Sequence, residues 1–291
     1  MSEYVLLGVA IALAGSTIAY QKLKPKPDPS AATLFFHIKH DPLGQYTMGK
    51  VQQIYQQINA VNNTGLIVGF EPQCPLDWQT QLQYLSEFGD IPVMLNVCTS
   101  DDAVQLTLDQ ISQAIAVCNV KYLRFHEALS YYQPNYTGNP FPMDYARSIL
   151  EFAKINNIPV FWNEWDVRFY DQTETIQYPK IQTVIARYED NVLVSFGSNN
   201  NWLEPSEGYQ LLQQFQRRAA SVQSWYWWER NGRQNGYELL MPPELMRQHT
   251  TEAFNAGCEI VQYEPFGYFF NVDTVNEDPR PQLTAVLAAP F

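Results

Sequence analysis

Eight repeats of one pattern dominate the chain: a short apolar strand, a loop, and a segment in which apolar residues recur every three or four positions. The predicted strands begin about 25 to 37 residues apart, which is the length of one strand–helix unit. They cover residues 34–40, 65–71, 91–99, 121–127, 158–166, 191–198, 222–229 and 258–264. This regularity predicts one (β/α)8 TIM barrel over residues 34–291. A doubly wound sheet is the alternative, but no glycine-rich phosphate loop is present.

The connections between these elements fall into two classes. Loops that lead from a strand to a helix are long and contain Pro, Gly, Asn and Asp, whereas the returns from helix to strand are short. The short returns are residues 62–65, 88–90, 156–157 and 255–257. Long loops after the strands place the functional face of a barrel at the carboxyl ends of its strands. We therefore look for the site residues there.

A separate apolar segment precedes the barrel. Residues 4–20 are seventeen residues without a charge. That length is about the lower limit for a helix that crosses a bilayer. We therefore expect residues 1–20 to form a hydrophobic, transmembrane-like helix that acts as a signal-anchor and gives a membrane-anchored protein. The lysine- and proline-containing residues 21–33 would form the linker to the barrel. A cleaved signal peptide, and a helix that packs in a larger protein assembly, are the alternatives.

The topology of such an anchor is ambiguous. Lys22, Lys24 and Lys26 follow the apolar segment, so the positive-inside rule would keep the barrel on the cytoplasmic side. A barrel that acts outside the cytoplasm would require the opposite, extracytoplasmic side.

Charge and composition limit the possible partners. The formal net charge is −12, which argues against nucleic acid as a partner. Aromatic residues make up 14% of the chain, and flat rings with a polar edge suit surfaces that stack on ligands such as sugars. None of the usual nucleotide-binding, metalloprotease or nucleophile-elbow motifs is present. We expect no cofactor and no bound metal.

Carboxylates end five of the eight predicted strands. They are Glu71 after strand two, Glu127 after strand four, Glu164 and Asp166 after strand five, Glu229 after strand seven and Glu264 after strand eight. Other polar or aromatic residues accompany them on the same strands and on strands one and three: His37, Asn96, Arg124, His126, Trp162, Asn163, Trp227 and Tyr263. A barrel interior accepts so many polar groups only when they are hydrogen-bonded. We predict that this set forms a polar ring around a ligand.

A pair of carboxyl groups across a cleft can act as acid and base, as glycoside hydrolysis requires. With Glu after strands four and seven, the chain resembles the retaining clan of β/α-barrel glycoside hydrolases. The resemblance implies that Glu127 is the acid/base and Glu229 the nucleophile of a glycosidase, with the remaining residues of the ring binding the carbohydrate. His126 stands where the clan has Asn, so Glu164, which follows Asn163, is a rival for the acid. Glu264 is a rival for the second carboxylate.

Two other functions remain open from the sequence. A barrel with an intact cleft can lack catalysis and serve as a carbohydrate-binding or structural assembly module. Alternatively, His37, Glu71 and His126 could hold a divalent metal, although their spacing is not that of a tight ligand set.

Overall fold

The computed structural model describes part of the chain in separate ranges. These are residues 34–38, 49, 51–52, 55–56, 64–69, 77–99, 105–126, 143–164, 184–196, 209–210, 212–223, 225–226, 239–240, 242–264 and 281–288. The predicted helix at residues 1–20, the linker at 21–33 and the domain boundaries drawn there lie outside these ranges.

Eight parallel strands form a nearly closed barrel, as the repeat predicts. The strands are β1 (Leu34–Ile38), β2 (Thr64–Val68), β3 (Val93–Thr99), β4 (Val120–His126), β5 (Val160–Glu164), β6 (Val192–Phe196), β7 (Ala220–Gln223) and, after a separate two-stranded hairpin, β10 (Val261–Glu264). Their order in the sheet is β6-β5-β4-β3-β2-β1-β10-β7. The two edge strands then meet through the parallel bridge between Val194 and Arg218, which brings the sheet round on itself.

Five helices are described in full: α1 (Trp78–Ser86), α2 (Leu108–Val117), α3 (Met143–Ile155), α4 (Pro243–Asn255) and α5 (Pro281–Leu287). Their starts follow from local capping chemistry. Asp77 accepts a hydrogen bond from the Thr80 amide at the start of α1, and Thr107 and Gln110 form a reciprocal capping box at the start of α2. Pro243 occupies the first turn of α4, where its missing N–H costs no helical hydrogen bond.

Alternation along the strands divides the core into two layers, because successive side chains point to opposite faces of a sheet. One layer faces the helices and continues into their apolar sides, for example through Leu85, Ile111 and Leu150. The other lies inside the barrel and consists of Phe35, Ile67, Met94, Phe161, Leu193, Ala219 and Ile260, with Tyr122 against them. The barrel interior is therefore a packed core and not a channel.

The seventh strand differs from its prediction. We expected one strand over residues 222–229, but the barrel strand β7 covers Ala220–Gln223. Beyond it, β8 (Trp225–Tyr226) pairs in antiparallel fashion with β9 (Leu239–Leu240) in a separate sheet. Trp225 and Tyr226 therefore do not continue the barrel strand, because they pair with Leu239 and Leu240 later in the chain.

No helix within the described ranges combines the length and the apolar character needed to cross a bilayer. The expected transmembrane-like anchor helix, the membrane partner and the membrane-anchored localisation are corrected on this finding. Residues 4–20, on which those expectations were based, lie outside the described ranges.

The interior apolar layer gives a direct test of the fold. Phe161 is fully buried inside the barrel, so Phe161→Ala should lower the free energy of unfolding by about 3–5 kcal/mol through lost burial and a residual cavity. Ile155, at the end of α3, is 80% exposed, so Ile155→Ala should change the free energy of unfolding by less than about 0.5 kcal/mol. Urea unfolding measures both; equal effects would contradict the assignment of Phe161 to the core.

Candidate functional site

A second interior layer lies next to the apolar one, toward the carboxyl ends of the strands. On six strands, the residue two positions after an inward-facing one is polar and buried. These residues are Asn96, Arg124, Asn163, Ser195, Ser221 and Gln262. Because side chains two residues apart share a face, all six point into the barrel. We call this set the polar layer.

Hydrogen bonds link the polar layer in pairs across neighbouring strands. Arg124 donates from Nη1 to Asn96 Oδ1 at 2.8 Å, between β4 and β3. Ser195 donates from Oγ to Asn163 Oδ1 at 3.1 Å, between β6 and β5. Each pair joins residues that are partners in the strand register. The register therefore decides which side chains meet.

The third pair joins Gln262 and Ser221. Gln262 donates from Nε2 to Ser221 Oγ at 2.7 Å, between β10 and β7, and these two residues are again register partners. The three pairs thus stabilise the polar layer on six of the eight barrel strands.

Gly69, directly after β2, makes room for Asn96. A Cβ added at Gly69 would lie 2.5 Å from Asn96 Nδ2 and 3.3 Å from Asn96 Cγ. Any larger residue at position 69 would therefore push the carboxamide away from its place in the polar layer. Gly69 has no side chain, and the space this leaves is occupied by the carboxamide of Asn96 on β3.

The amino-terminal face of the barrel is closed by a different set of residues. Tyr122 packs edge-on against Phe35, with ring centroids 5.4 Å apart. Burial raises the pKa of Tyr122, and the nearby Arg217 and Glu259 act in opposite directions on it. Arg217 and Glu259 form a bidentate ion pair, with the shorter N···O distance 2.8 Å. This end of the barrel is therefore packed, and the opposite, carboxyl end is where the active sites of such barrels lie.

Three residues predicted to bind substrate lie on the other side of the barrel wall. Trp162 and Tyr263 belong to the helix-facing core and are fully buried. Trp162 donates from Nε1 to Glu164 Oε1 at 2.9 Å, so the fully buried Glu164 lies on the same side. Tyr263 stacks on Phe36 and shares a hydrogen bond of 2.8 Å with Thr250 of α4. Alternation along the strand directs all three away from the polar layer.

The other predicted residues divide into those that the structure describes and those that lie outside the described ranges. Asn96, Arg124 and Asn163 meet in the polar layer, and His126, at the end of β4, is partly exposed next to it, in register with Asn163. His37 lies on β1 and Glu264 ends β10. The remaining predicted residues lie outside the described ranges: Glu71, Glu127, Asp166, Trp227 and Glu229. The proposed catalytic pair, and the metal alternative that uses Glu71, are among these.

Sequence reasoning missed Ser195 and Ser221 as members of the set, and the space that Gly69 leaves. The signal was present as a polar residue two positions after an apolar one: Leu193 before Ser195 and Ala219 before Ser221. We weighted charged residues at the strand ends, whereas the interior layer is built mainly from neutral side chains one or two positions earlier.

Comparison with known proteins adds structural likeness only. No protein-family model and no curated protein matches the chain. Among solved structures, a dihydropteroate synthetase with a bound product shares 14% identity at a TM-score of 0.49, over 82% of this chain and 90% of that one. The Coxiella burnetii dihydropteroate synthase in complex with pteroic acid shares 12% identity at 0.49, over 89% and 92%. The Vibrio fischeri 7,8-dihydropteroate synthase shares 11% at 0.48, over 88% and 91%.

These neighbours correct the resemblance drawn from the sequence. They are dihydropteroate synthases and not glycoside hydrolases. The glycosidase activity, the carbohydrate as substrate or partner, and the carbohydrate-binding alternative are therefore wrong on this finding. The physical reason is that carboxylates after strands of a barrel are common to many barrels, so Glu after strands four and seven did not distinguish one family from another.

The contact between Gly69 and Asn96 predicts a coupled effect on stability. Gly69→Ala should lower the free energy of unfolding by about 1–3 kcal/mol, because the new methyl group displaces the Asn96 carboxamide. In an Asn96→Ala background the same change should cost much less. Gly49→Ala is the control: nothing lies within 4 Å of its added Cβ, so stability should stay equal or rise slightly. Additive effects of Gly69→Ala and Asn96→Ala in urea unfolding would contradict the contact.

The buried thiols give a second test. Burial raises the pKa of Cys98, Cys118 and Cys258 to about 12, and the negative charge of Glu164 contributes at Cys98. Since the thiolate is the reactive form, these three cysteines should resist iodoacetamide in the native protein at mildly alkaline pH and react after unfolding. Peptide mass spectrometry reads out each site, and rapid native modification of any of the three would contradict its placement.

Proposed function

We propose that the barrel binds a small polar molecule at the carboxyl ends of its strands, with the polar layer as the floor of an enzyme active site. The observation that carries this proposal is the replacement of an apolar interior layer by six hydrogen-bonding side chains at this end only. The (β/α)8 architecture supports it, because the active sites of such barrels lie at the carboxyl ends of the strands.

Energetics also support a functional role for the polar layer. An apolar residue at each of these positions would continue the packing of Phe161, Leu193 and Ile260 without desolvating any polar group. Polar side chains in a core that an apolar set could fill are retained at a cost in stability, which is typical of binding and catalytic sites. The pairing of the six reduces this cost and at the same time fixes their orientation.

Ligand-induced stabilisation tests the proposal. Four probes of different chemistry are inorganic phosphate, adenosine, putrescine and pteroic acid, the last being the ligand of the Coxiella burnetii structure. We expect at least one to raise the melting temperature of the wild-type protein in a concentration-dependent way, because a ligand that binds only the native state stabilises it.

The matched variant removes one pair of the polar layer. Asn163→Leu/Ser195→Ala deletes both hydrogen-bonding partners at once and should leave the unliganded stability unchanged or raised. It should also abolish the ligand-induced shift. A wild-type protein that none of the four probes stabilises, or a variant that responds as the wild type does, would contradict the proposal.

A further inference from the structure

Three helices lie side by side on one side of the barrel. They are α1, α2 and the helix between β1 and β2 that includes Gln52. Gln52 donates from Nε2 to the carbonyl oxygen of Glu87, at the end of α1, at 2.9 Å. Trp78 of α1 donates from Nε1 to Gln113 Oε1 of α2 at 2.7 Å. The outer sides of the three helices therefore adjoin one another and form one surface.

Glutamine takes the place of charged residues on this surface. The segments 51–70, 78–86 and 110–120 contain no Asp, Glu, Lys or Arg. The inner sides of α1 and α2, with Leu85 and Ile111, are buried in the core. The exposed glutamines of the three helices are Gln52, Gln56, Gln79, Gln83 and Gln113. We call these five residues the glutamine face.

The other long helices of the barrel carry charges of both signs on their exposed sides. On α3, Arg147 pairs with Asp144 at 3.3 Å, and on α4, Arg247 pairs with Glu244 at 2.7 Å. Interspersed charges of this kind keep a surface in contact with water. The central parts of protein interfaces are instead depleted in charged residues. The glutamine face therefore has the composition of an interface, and α3 and α4 have that of a solvated surface.

Trp78 adds an apolar group to the glutamine face. Its side chain is only partly buried against the core, and the hydrogen bond to Gln113 fixes the orientation of its ring. Leu108, in the first turn of α2, is 38% exposed. Tryptophan is enriched among the residues that contribute most to binding between proteins. The face thus offers an oriented aromatic ring among neutral amides.

The charge of the molecule indicates which partner this face fits. Near it, the acidic residues Asp77, Glu87 and Asp109 lie at the ends of α1 and α2, so a basic partner would meet no carboxylate in the middle of the face. A second copy carries the same net charge of −12, and repulsion between copies is smallest where neither surface is charged. A two-fold interface places one patch against itself. Carboxamides suit this arrangement, because each one has both donors and an acceptor.

We propose that the glutamine face joins two copies of this chain in a two-fold dimer. Three helices spaced about 10 Å apart, each with about 15 Å of exposed length, offer about 450 Å² per partner. A standard interface buries about 800 Å² per partner. The dimer is therefore small in buried area and dissociates on dilution.

Sedimentation velocity of the full-length protein, over about a hundredfold range of concentration around about 10 µM, tests this association. We expect a reversible equilibrium between monomer and dimer. Gln79→Lys/Gln83→Lys should weaken the dimer by about tenfold or more, or about 1.4 kcal/mol, because α1 is the middle helix and the lysines of its two copies repel each other. Added lysines lower the net negative charge, so an effect of net charge alone would strengthen the dimer instead.

Exchange of charge shows whether the two copies of the face meet. Gln79→Glu/Gln83→Glu should also weaken the dimer, whereas an equimolar mixture of the lysine and glutamate proteins should restore association, because unlike charges then lie opposite each other. Both residues are exposed, and lysine and glutamate are good helix formers, so both proteins should keep the circular dichroism of the wild type.

Gln248→Lys provides the matched control. Gln248 is exposed on α4, which lies between β7 and β10 and away from β3 in the sheet order, so this lysine should leave the association unchanged. Lysine at position 248 also keeps a partner for Glu252, to which Gln248 donates at 2.8 Å.

Three results would overturn the proposal. They are a wild type that remains monomeric over the whole range, a dimer that the lysines on α1 do not weaken, and a mixture of lysine and glutamate proteins that stays monomeric. None of them bears on the polar layer, because the ligand test uses residues inside the barrel and not on its helices.

Discussion

Closure of the barrel between β6 and β7 is the constraint on which the site depends. Val194 donates its amide to Arg217 O at 3.2 Å, and the Ala219 amide donates back to Val194 O at 2.9 Å. These two bonds bring the ends of an eight-stranded sheet together and so create an inside. Close by, the Arg217 side chain is held by Glu259, which precedes β10, so the ion pair ties adjacent strands at the amino-terminal face. Tyr122 packs one end, so a ligand of the barrel interior would have to enter from the other.

The polar layer follows from closure and register together. In an open sheet, Arg124 and Asn163 would face helices or solvent; in the barrel they converge with residues from the opposite wall. Each of the three hydrogen-bonded pairs joins register partners, so a slip of one residue between two strands would break a pair and turn its members into the helix-facing layer. The same geometry that forms the core thus orients the side chains of the polar layer.

The fold was predictable because the repeat of strand, loop and helix is a long-range pattern with a strong period. All eight barrel strands lie within or beside their predicted ranges. The arrangement of the candidate site was predictable only in part. Asn96, Arg124 and Asn163 point into the barrel as expected of a polar ring, whereas Trp162, Glu164 and Tyr263 face the helices. Adjacent residues on a strand cannot share a face, and treating Trp162, Asn163 and Glu164 as one group ignored that.

Function was less predictable than fold for a physical reason. Carboxylates at the strand ends indicate a polar entrance to the barrel. The arrangement of hydrogen-bond donors and acceptors inside the barrel decides what can bind there. That arrangement depends on which group of each carboxamide, the oxygen or the amide nitrogen, is already hydrogen-bonded, as Asn96 Oδ1 is to Arg124. The bond between Asn96 and Arg124 joins residues that are 28 positions apart in the chain, so no local pattern in the sequence predicts it.

A crystal structure of the protein grown with whichever of the four probes raises its melting temperature tests the central claim, that the polar layer is a ligand site, most directly. The account predicts that the probe is bound inside the carboxyl end of the barrel, within hydrogen-bonding distance of the polar layer, which includes the carboxamides of Asn96 and Asn163. Two carboxamides that instead bond to the surrounding loops, with no space left between them, would show a structural network and contradict the account.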